Sequence, residues 1–381
     1  MKFGYIAGLF HAIFLTFSTP SFAKIIQVGA TGDVRTLAEA SAMAKDGDII
    51  EIASGEWHGD VAAWEGKRLT IRGIGKRPVF FADGKSQEGK AIWVFRSGDF
   101  IVENIEFRGT RVPDGNGAGI RLESGKLHVK ACSFIDNENG ILTSNHQDAA
   151  LTVENSLFAE APKQGNLLHL LYAGRIASLK VVGSRFHAGR AGHLIKSRAR
   201  STELSYNLIV DGPGGAASYE VDLPNGGAAS LIGNVIEQSE TSENPVVVAY
   251  AAEGSVWEKN QLLLAHNTFL SKGLKPAWFI RVWRDKVPRT LEVLTINNLY
   301  SGFGLFNYGL GSGEGNYWVP ASMFRAPDIL DFRLKDDSWL LNVVSAAIID
   351  GKSFSPLNEF SLPIGTKSIS VSNRLTPGAF Q

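Results

Sequence analysis

Short apolar runs separated by turn residues fill most of this chain. Leu69-Thr70-Ile71, Phe100-Ile101-Val102, Leu127-His128-Val129, Leu151-Thr152-Val153, Leu179-Lys180-Val181, Glu203-Leu204-Ser205, Leu231-Ile232, Leu262-Leu263-Leu264 and Leu294-Thr295-Ile296 alternate or are wholly apolar, as strands with a buried face require. A turn position follows most of them, at Asn104, Ala131, Asn155, Gly183, Asn207, Asn234, Asn267 and Asn298, with steps of 27, 24, 28, 24, 27, 33 and 31 residues. A period in that range marks a stacked array. Each unit holds only two or three runs, so it is one coil of a solenoid and not a four-stranded blade. No helical period separates the runs, which excludes a doubly wound sheet. The fold expected is all-β, a right-handed parallel β-helix.

Asparagine suits the recurring corner because it tolerates left-handed backbone angles and its amide can bond the residue one coil above or below. Phe107, Phe134, Phe158 and Phe186, each three residues past a corner, are expected to stack inside. At the start, Thr36-Leu37-Ala38-Glu39 forms a capping box for a helix carrying Leu37, Ala40 and Ala44 on one face. That helix is expected to end at Asp46-Gly47-Asp48 and to close the first open coil. The organisation expected is a leader over 1–23, a cap of strand, helix and strand over 24–68, the β-helix over 69–318, and a tail over 319–381. The tail, with Trp339, Leu340, Leu341 and Ile348, is expected to pack on the last coils.

Composition narrows the class. Lys2, the apolar run Tyr5 to Phe17 and Ser21-Phe22-Ala23 read as a cleaved export signal, which places the protein in the periplasm or outside the cell. Pro20 cuts the run short of the roughly 20 apolar residues a membrane span needs, and no later run is long enough. Lysines and arginines equal aspartates and glutamates at 38 each, so losing Lys2 leaves a net charge of minus one. That offers no field for nucleic acid. The single cysteine, Cys132, excludes an intramolecular disulfide. The sequence leaves the oligomeric state open.

The cap helix, then Asp48-Ile49-Ile50-Glu51-Ile52-Ala53-Ser54-Gly55-Glu56-Trp57, then an asparagine-cornered solenoid, resembles the pectate-lyase-like superfamily of right-handed β-helix proteins from Ile25 to Trp318. The resemblance implies action on polysaccharide, by a uronate lyase, an epimerase or a hydrolase. The paired aspartates of the pectin-hydrolase branch are not evident, and neither is the Asp-Pro-His-Asp motif of the alginate-epimerase branch.

Candidate chemistry lies on the strands following each corner by ten to fourteen residues: Leu168 to Gly174, His193 to Ala199, Tyr219 to Pro224, Val246 to Gly254 and Trp278 to Asp285. Strict alternation turns Ile195 inward, and Lys196 and Arg198 outward. A step of 24 carries Tyr172 onto Lys196, Lys196 onto Glu220 and Arg198 onto Asp222, and it stacks His169 on His193. The expected outward column is Tyr172, Lys196, Glu220 and Tyr250, with Arg198 and Asp222 beside it and Asn225 in the turn that follows.

Removing the C5 proton of a uronate needs a base and a partner that neutralises the adjacent carboxylate. Lys196 and Tyr172 are candidate bases, and His193 or His169 is a further base or substrate contact. Arg198 or Arg281 offers a bidentate partner to the carboxylate. Glu220 and Asp222 alternatively offer hard oxygen ligands to Ca²⁺. Tyr250, Glu253, Arg281 and Trp283 extend the groove as substrate contacts. These residues support a lyase or C5-epimerase on an anionic polysaccharide, a hydrolase using Glu220 with Asp222 or Glu253, or a groove that binds without chemistry. As a row of exposed ion pairs they would contribute at most about 1 kcal/mol each.

Overall fold

A computed structural model describes residues 1, 23–165, 168–308, 311–370 and 372–381 of the 381-residue chain. The segment 2–22, which carries the expected leader, lies outside the described residues. Among the described residues no helix is long and apolar enough to cross a membrane.

The expected parallel β-helix is present. Each coil contributes strands to three faces. The first face runs through Ala118–Leu122, Asn139–Thr143, Leu171–Ala173, His193–Ser197, Tyr219–Leu223, Val246–Tyr250 and Ala277–Val282. The second runs through Lys126–Lys130, Ala150–Glu154, Ser178–Val182 and Ser201–Ser205 to Glu292–Ile296. Two long strands, Ala62–Gly73 and Ala91–Glu103, pass through the corner between these faces, so the two join in one twenty-stranded sheet. The third face is an eleven-stranded sheet that includes Ser133–Ile135, Leu157–Ala159 and Arg185–His187. The strands Ile25–Val28 and Ile49–Ile52 pair in parallel with each other, and the second pairs with Ala62–Gly73, so the sheet begins before residue 69.

The corners hold two adjacent rows where one was expected. Asn104, Ala131, Asn155, Gly183, Tyr206, Gly233, His266 and Asn297 take the left-handed backbone conformation. The next residue points inward and bonds the neighbouring coil. Asn207, Asn234, Asn267, Asn298 and Asn316 form that ladder, each backbone N–H donating to the next side-chain carbonyl at 2.8–3.1 Å. Ser184 and Ser156 continue it toward the N-terminus through their hydroxyls. The expected row therefore mixed the bend residues of the early coils with the ladder residues of the later ones. The phenylalanine stack forms as expected, with ring centroids 5.1, 4.7 and 4.7 Å apart from Phe107 to Phe186.

The helix spans Leu37–Met43 and buries Leu37 and Ala40. Its capping box is complete: Glu39 N–H donates to Thr36 Oγ1 at 3.2 Å, and Thr36 N–H to Glu39 Oε2 at 3.1 Å. It ends earlier than expected because Ala44 is extended and the Asp48 carboxylate takes the Lys45 N–H. The tail runs back along the third face, where Phe324, Phe332, Leu334, Leu340 and Phe360 bury Leu208, Val235, Leu270 and Leu299. Gly378 N–H donates to Asn297 O at 2.8 Å, and Gly365 N–H to Gly183 O at 2.9 Å, so it reaches well past the last coils. Trp339 and Ile348, expected to pack, stay largely exposed. The tail leaves the first face open.

Candidate active site

One outward column crosses the first face. Cα register places Val94, Arg121, Leu142, Tyr172, Lys196, Asp222, Ala249, Arg281 and Tyr308 in successive coils. Parallel strands lie about 4.8 Å apart, so a chain-like ligand along this column meets a new side chain at each step.

Charged groups converge at its centre. Lys196 Nζ lies 3.6 Å from Asp222 Oδ2 and 4.0 Å from Glu253 Oε1, and 5.4 Å from the centre of the Tyr172 ring. Arg198 Nε donates to Tyr172 Oη at 2.8 Å, Nη1 to Asn225 Oδ1 at 2.9 Å, and both terminal nitrogens to the Glu253 carboxylate, Nη2 at 2.7 Å. Arg175 Nε reaches the same Asn225 oxygen at 3.3 Å. Trp257 Nε1 donates to Arg198 O at 3.1 Å and fixes the backbone there. Burial pushes the Glu253 carboxyl up, but hydrogen bonding to Arg198 and the charges of Arg198, Lys196 and Arg175 outweigh it and hold it below the usual carboxylate range.

Two histidines support the cluster from behind. His169, His193 and Tyr219 stack with centroids 4.8 and 4.9 Å apart. His169 Nδ1 accepts the His193 N–H at 3.0 Å. Burial first, then the charges of Lys196 and Arg198, hold His169 well below the ordinary imidazole value, so it is neutral. His193 Nδ1 accepts the Tyr219 N–H at 3.2 Å, which places its own proton on Nε2, 3.2 Å from Asp222 Oδ2. Neither imidazole offers a lone pair to a substrate. Both position residues that do.

Several expectations are corrected. Lys196 faces Asp222 and not Glu220. The step from Phe186 to Ile209 is 23 residues, yet that from His193 to Tyr219 is 26, because the loop before Tyr219 is longer than the one before His193. Alternation also fails at Leu194: Leu194 and Ile195 are both in the core, while His193 and Lys196 both reach Asp222. Glu220 is fully buried, with neither carboxylate oxygen hydrogen-bonded. Burial and the nearby Asp211 and Glu237 carboxylates push it well above its ordinary value, so it is a neutral acid inside the coil. Glu220 and Asp222 therefore do not converge on a shared cation, and the calcium pair is not assembled. Among the described residues no group of three or more His, Cys, Asp or Glu is arranged to hold a metal. Tyr250 is also buried; it pairs with Leu223 and donates its hydroxyl to Gly227 O at 2.6 Å, so it is a core residue.

Clefts flank the cluster on both sides. Toward the N-terminus, Lys90, Asn116, Arg121, Asn145 and Tyr172 line one of about 410 Å³. Toward the C-terminus, Arg281, Trp283 and Tyr308 line one of about 680 Å³. There the Arg281 guanidinium lies 3.9 Å from the centre of the Trp278 ring and 4.3 Å from that of Trp283, and Trp278 stacks on Tyr308. Arg175, Trp257 and Tyr219 were not singled out by the sequence. Arg175 and Trp257 sit in the turns after first-face strands, where a column count does not look.

Solved structures with this architecture include pectate lyase Pel9A, at TM-score 0.65 and 14% identity, covering 95% of this chain and 97% of that one. The fold is a parallel β-helix like that of this pectate lyase. A second solved structure, the alginate lyase from Paenibacillus sp. str. FPU-7, aligns at TM-score 0.51 and 14% identity over 77% of this chain and 99% of its own. No family model matches the sequence, and no curated protein matches it significantly. In this β-helix the charged cluster, with Tyr172, Lys196, Arg198, Asp222, Asn225 and Glu253, occupies the face that the tail leaves open.

Proposed function

We propose that this protein is a polysaccharide lyase that cleaves a uronate-containing anionic polysaccharide by β-elimination. The observation that carries the reading is the position of Lys196. It stands at the centre of the column, mostly buried and not exposed as expected, with 11% of its side chain accessible, against the Tyr172 ring that Arg198 also contacts, and with a cleft on either side. Two structural neighbours named as a pectate lyase and an alginate lyase support the reaction class.

In this reading the amine form of Lys196 takes the C5 proton. The C5–H electron pair becomes the C4=C5 double bond, and the C4–O bond breaks. The departing oxygen takes a proton from Tyr172, whose oxygen already accepts from Arg198 and whose own proton is free to be given. Guanidinium groups offset the charge that develops beside the uronate carboxylate. C5-epimerisation shares the first step and differs in returning a proton to the opposite face of the sugar. A hydrolase needs one carboxyl kept protonated beside the bond. Glu253 does not fit that role, because Arg198 holds it ionised.

The test is to incubate the protein with a panel of uronate polymers, following ultraviolet absorbance of unsaturated sugar ends, reducing ends and ring configuration by NMR. Absorbance rising in step with reducing ends is expected. Reducing ends without absorbance would establish hydrolysis, inversion without cleavage would establish epimerisation, and no change with any polymer would leave a binding groove.

A further inference from the structure

The Arg198 fork already holds a carboxylate. Its four polar contacts are the Tyr172 hydroxyl, the Asn225 carbonyl and both oxygens of Glu253, and the Glu253 side chain is the exposed partner, 46% against 16% for Arg198. Glu253 comes from a tight turn in which Ala251 and Gly254 have left-handed backbone angles. That turn is held by its backbone, through Glu253 N–H to Pro224 O at 2.9 Å and Lys286 Nζ to Ala252 O at 2.6 Å. The side chain can therefore leave the fork without unmaking the turn.

We infer that the Arg198–Tyr172–Asn225 fork, with Arg175 at its rim, is the binding site for the carboxylate of the reacting uronate, and that Glu253 is a resident carboxylate which the substrate displaces. The inference rests on the lyase reading and deepens it. Glu253 Oε1 lies 4.0 Å from Lys196 Nζ. In a uronate, C5 is bonded directly to the carboxylate carbon, about 2.4 Å from its oxygens at ordinary bond lengths of ~1.2 and ~1.5 Å. A uronate carboxylate seated where Glu253 now sits brings C5 within reach of the proposed base and places a guanidinium on the group that must be neutralised.

The exchange also favours anionic ligands over neutral ones. Replacing one carboxylate by another leaves the charge count around a part-buried arginine unchanged. A neutral sugar could displace Glu253 only by leaving Arg198 without a counter-charge, which costs more than a sugar hydroxyl returns. Glu253 thus weakens uronate binding by the cost of emptying the fork, while a neutral ligand does not displace it and binds without the fork.

The test uses the full chain with Lys196→Ala to silence turnover, with and without Glu253→Gln, titrated calorimetrically with trimeric galacturonate, trimeric mannuronate and a carboxyl-reduced neutral trimer. Glutamine keeps an oxygen for Arg198 and so preserves the local fold, which a matching unfolding midpoint verifies. Removing the resident anion is expected to tighten binding of the preferred uronate trimer by about tenfold and leave the neutral trimer unchanged, because the fork no longer has to be emptied of charge before binding. Uronate binding that is equal or weaker in Glu253→Gln, or an equal gain for the neutral trimer, overturns the inference and leaves the lyase reading standing. Failure of both proteins to bind either uronate trimer overturns both.

Discussion

Replacing Asn267 by alanine removes one rung from the ladder that holds the later coils together. Its carbonyl accepts from Asn234 N–H and Nδ2 at 3.0 and 2.9 Å, and its amide donates to Leu231 O and Asn298 Oδ1 at 2.8 and 3.1 Å. All of these groups are buried, so water does not replace the lost partners. At a net value near 1 kcal/mol for each hydrogen bond, the loss is about 4 kcal/mol. Serine is the graded control. In the earlier coils the Ser184 hydroxyl accepts the Ser156 N–H at 3.1 Å and donates to Val182 O at 3.1 Å, so a serine rung keeps the backbone link and loses the amide-to-amide bonds. Asn267→Ser is expected to cost about 2 kcal/mol on the same reckoning. Urea unfolding followed by tryptophan fluorescence gives both values from the midpoint shift at unchanged slope. Hydrogen exchange at the Asn234 amide, which is expected to accelerate, localises the effect. A loss below 1 kcal/mol for alanine, or serine no better than alanine, would refute the ladder as a major source of stability.

Other outcomes follow from the same contacts. Glu220 titrates above its unfolded value, so the stability linked to its proton is fully present below about pH 4.3 and is lost as pH rises toward the folded pKa. Asp211, pushed up to about 6, adds a dependence of the same sign between about pH 4 and 6. Glu220→Gln is expected to be more stable than the parent at pH 8 and to lose that advantage at pH 4; an advantage independent of pH would remove the buried acid from the account. Arg281→Ala is expected to raise KM for long substrates by about tenfold with kcat little changed, since Arg281 lies two coils from Asp222 and contributes only binding. Steady-state rates on polymer and trimer test this, and an equal fall in kcat would place Arg281 in the chemistry.

The fold was legible because strand period and coil period are both local. Phe107, Phe134, Phe158 and Phe186 fell at one offset from the bends, and they stack. Within the site, the step from Tyr172 to Lys196 was legible for the same reason. The next step was not. The loop between Leu208–Val210 and Tyr219–Leu223 is longer than the one between Arg185–His187 and His193–Ser197, and a column counted by residues cannot see a loop that grows. The Gly212-Pro213-Gly214-Gly215 run was the available signal of that growth. Glu220 was misplaced by a second effect: strict alternation assumes a regular pleat, and the pleat breaks where Leu194 turns inward. Glu253 was recognised as a groove residue, but its pairing with Arg198 joins positions 55 apart through two turns, beyond the reach of any repeat.

The most direct test of the central claim is the initial rate of unsaturated-end formation by Lys196→Ala on whichever uronate polymer the parent cleaves. The base role of Lys196 predicts a fall of roughly 10²–10⁴-fold in a protein with a parent-like unfolding midpoint. A folded Lys196→Ala protein that retains the parent rate within a few-fold would contradict it.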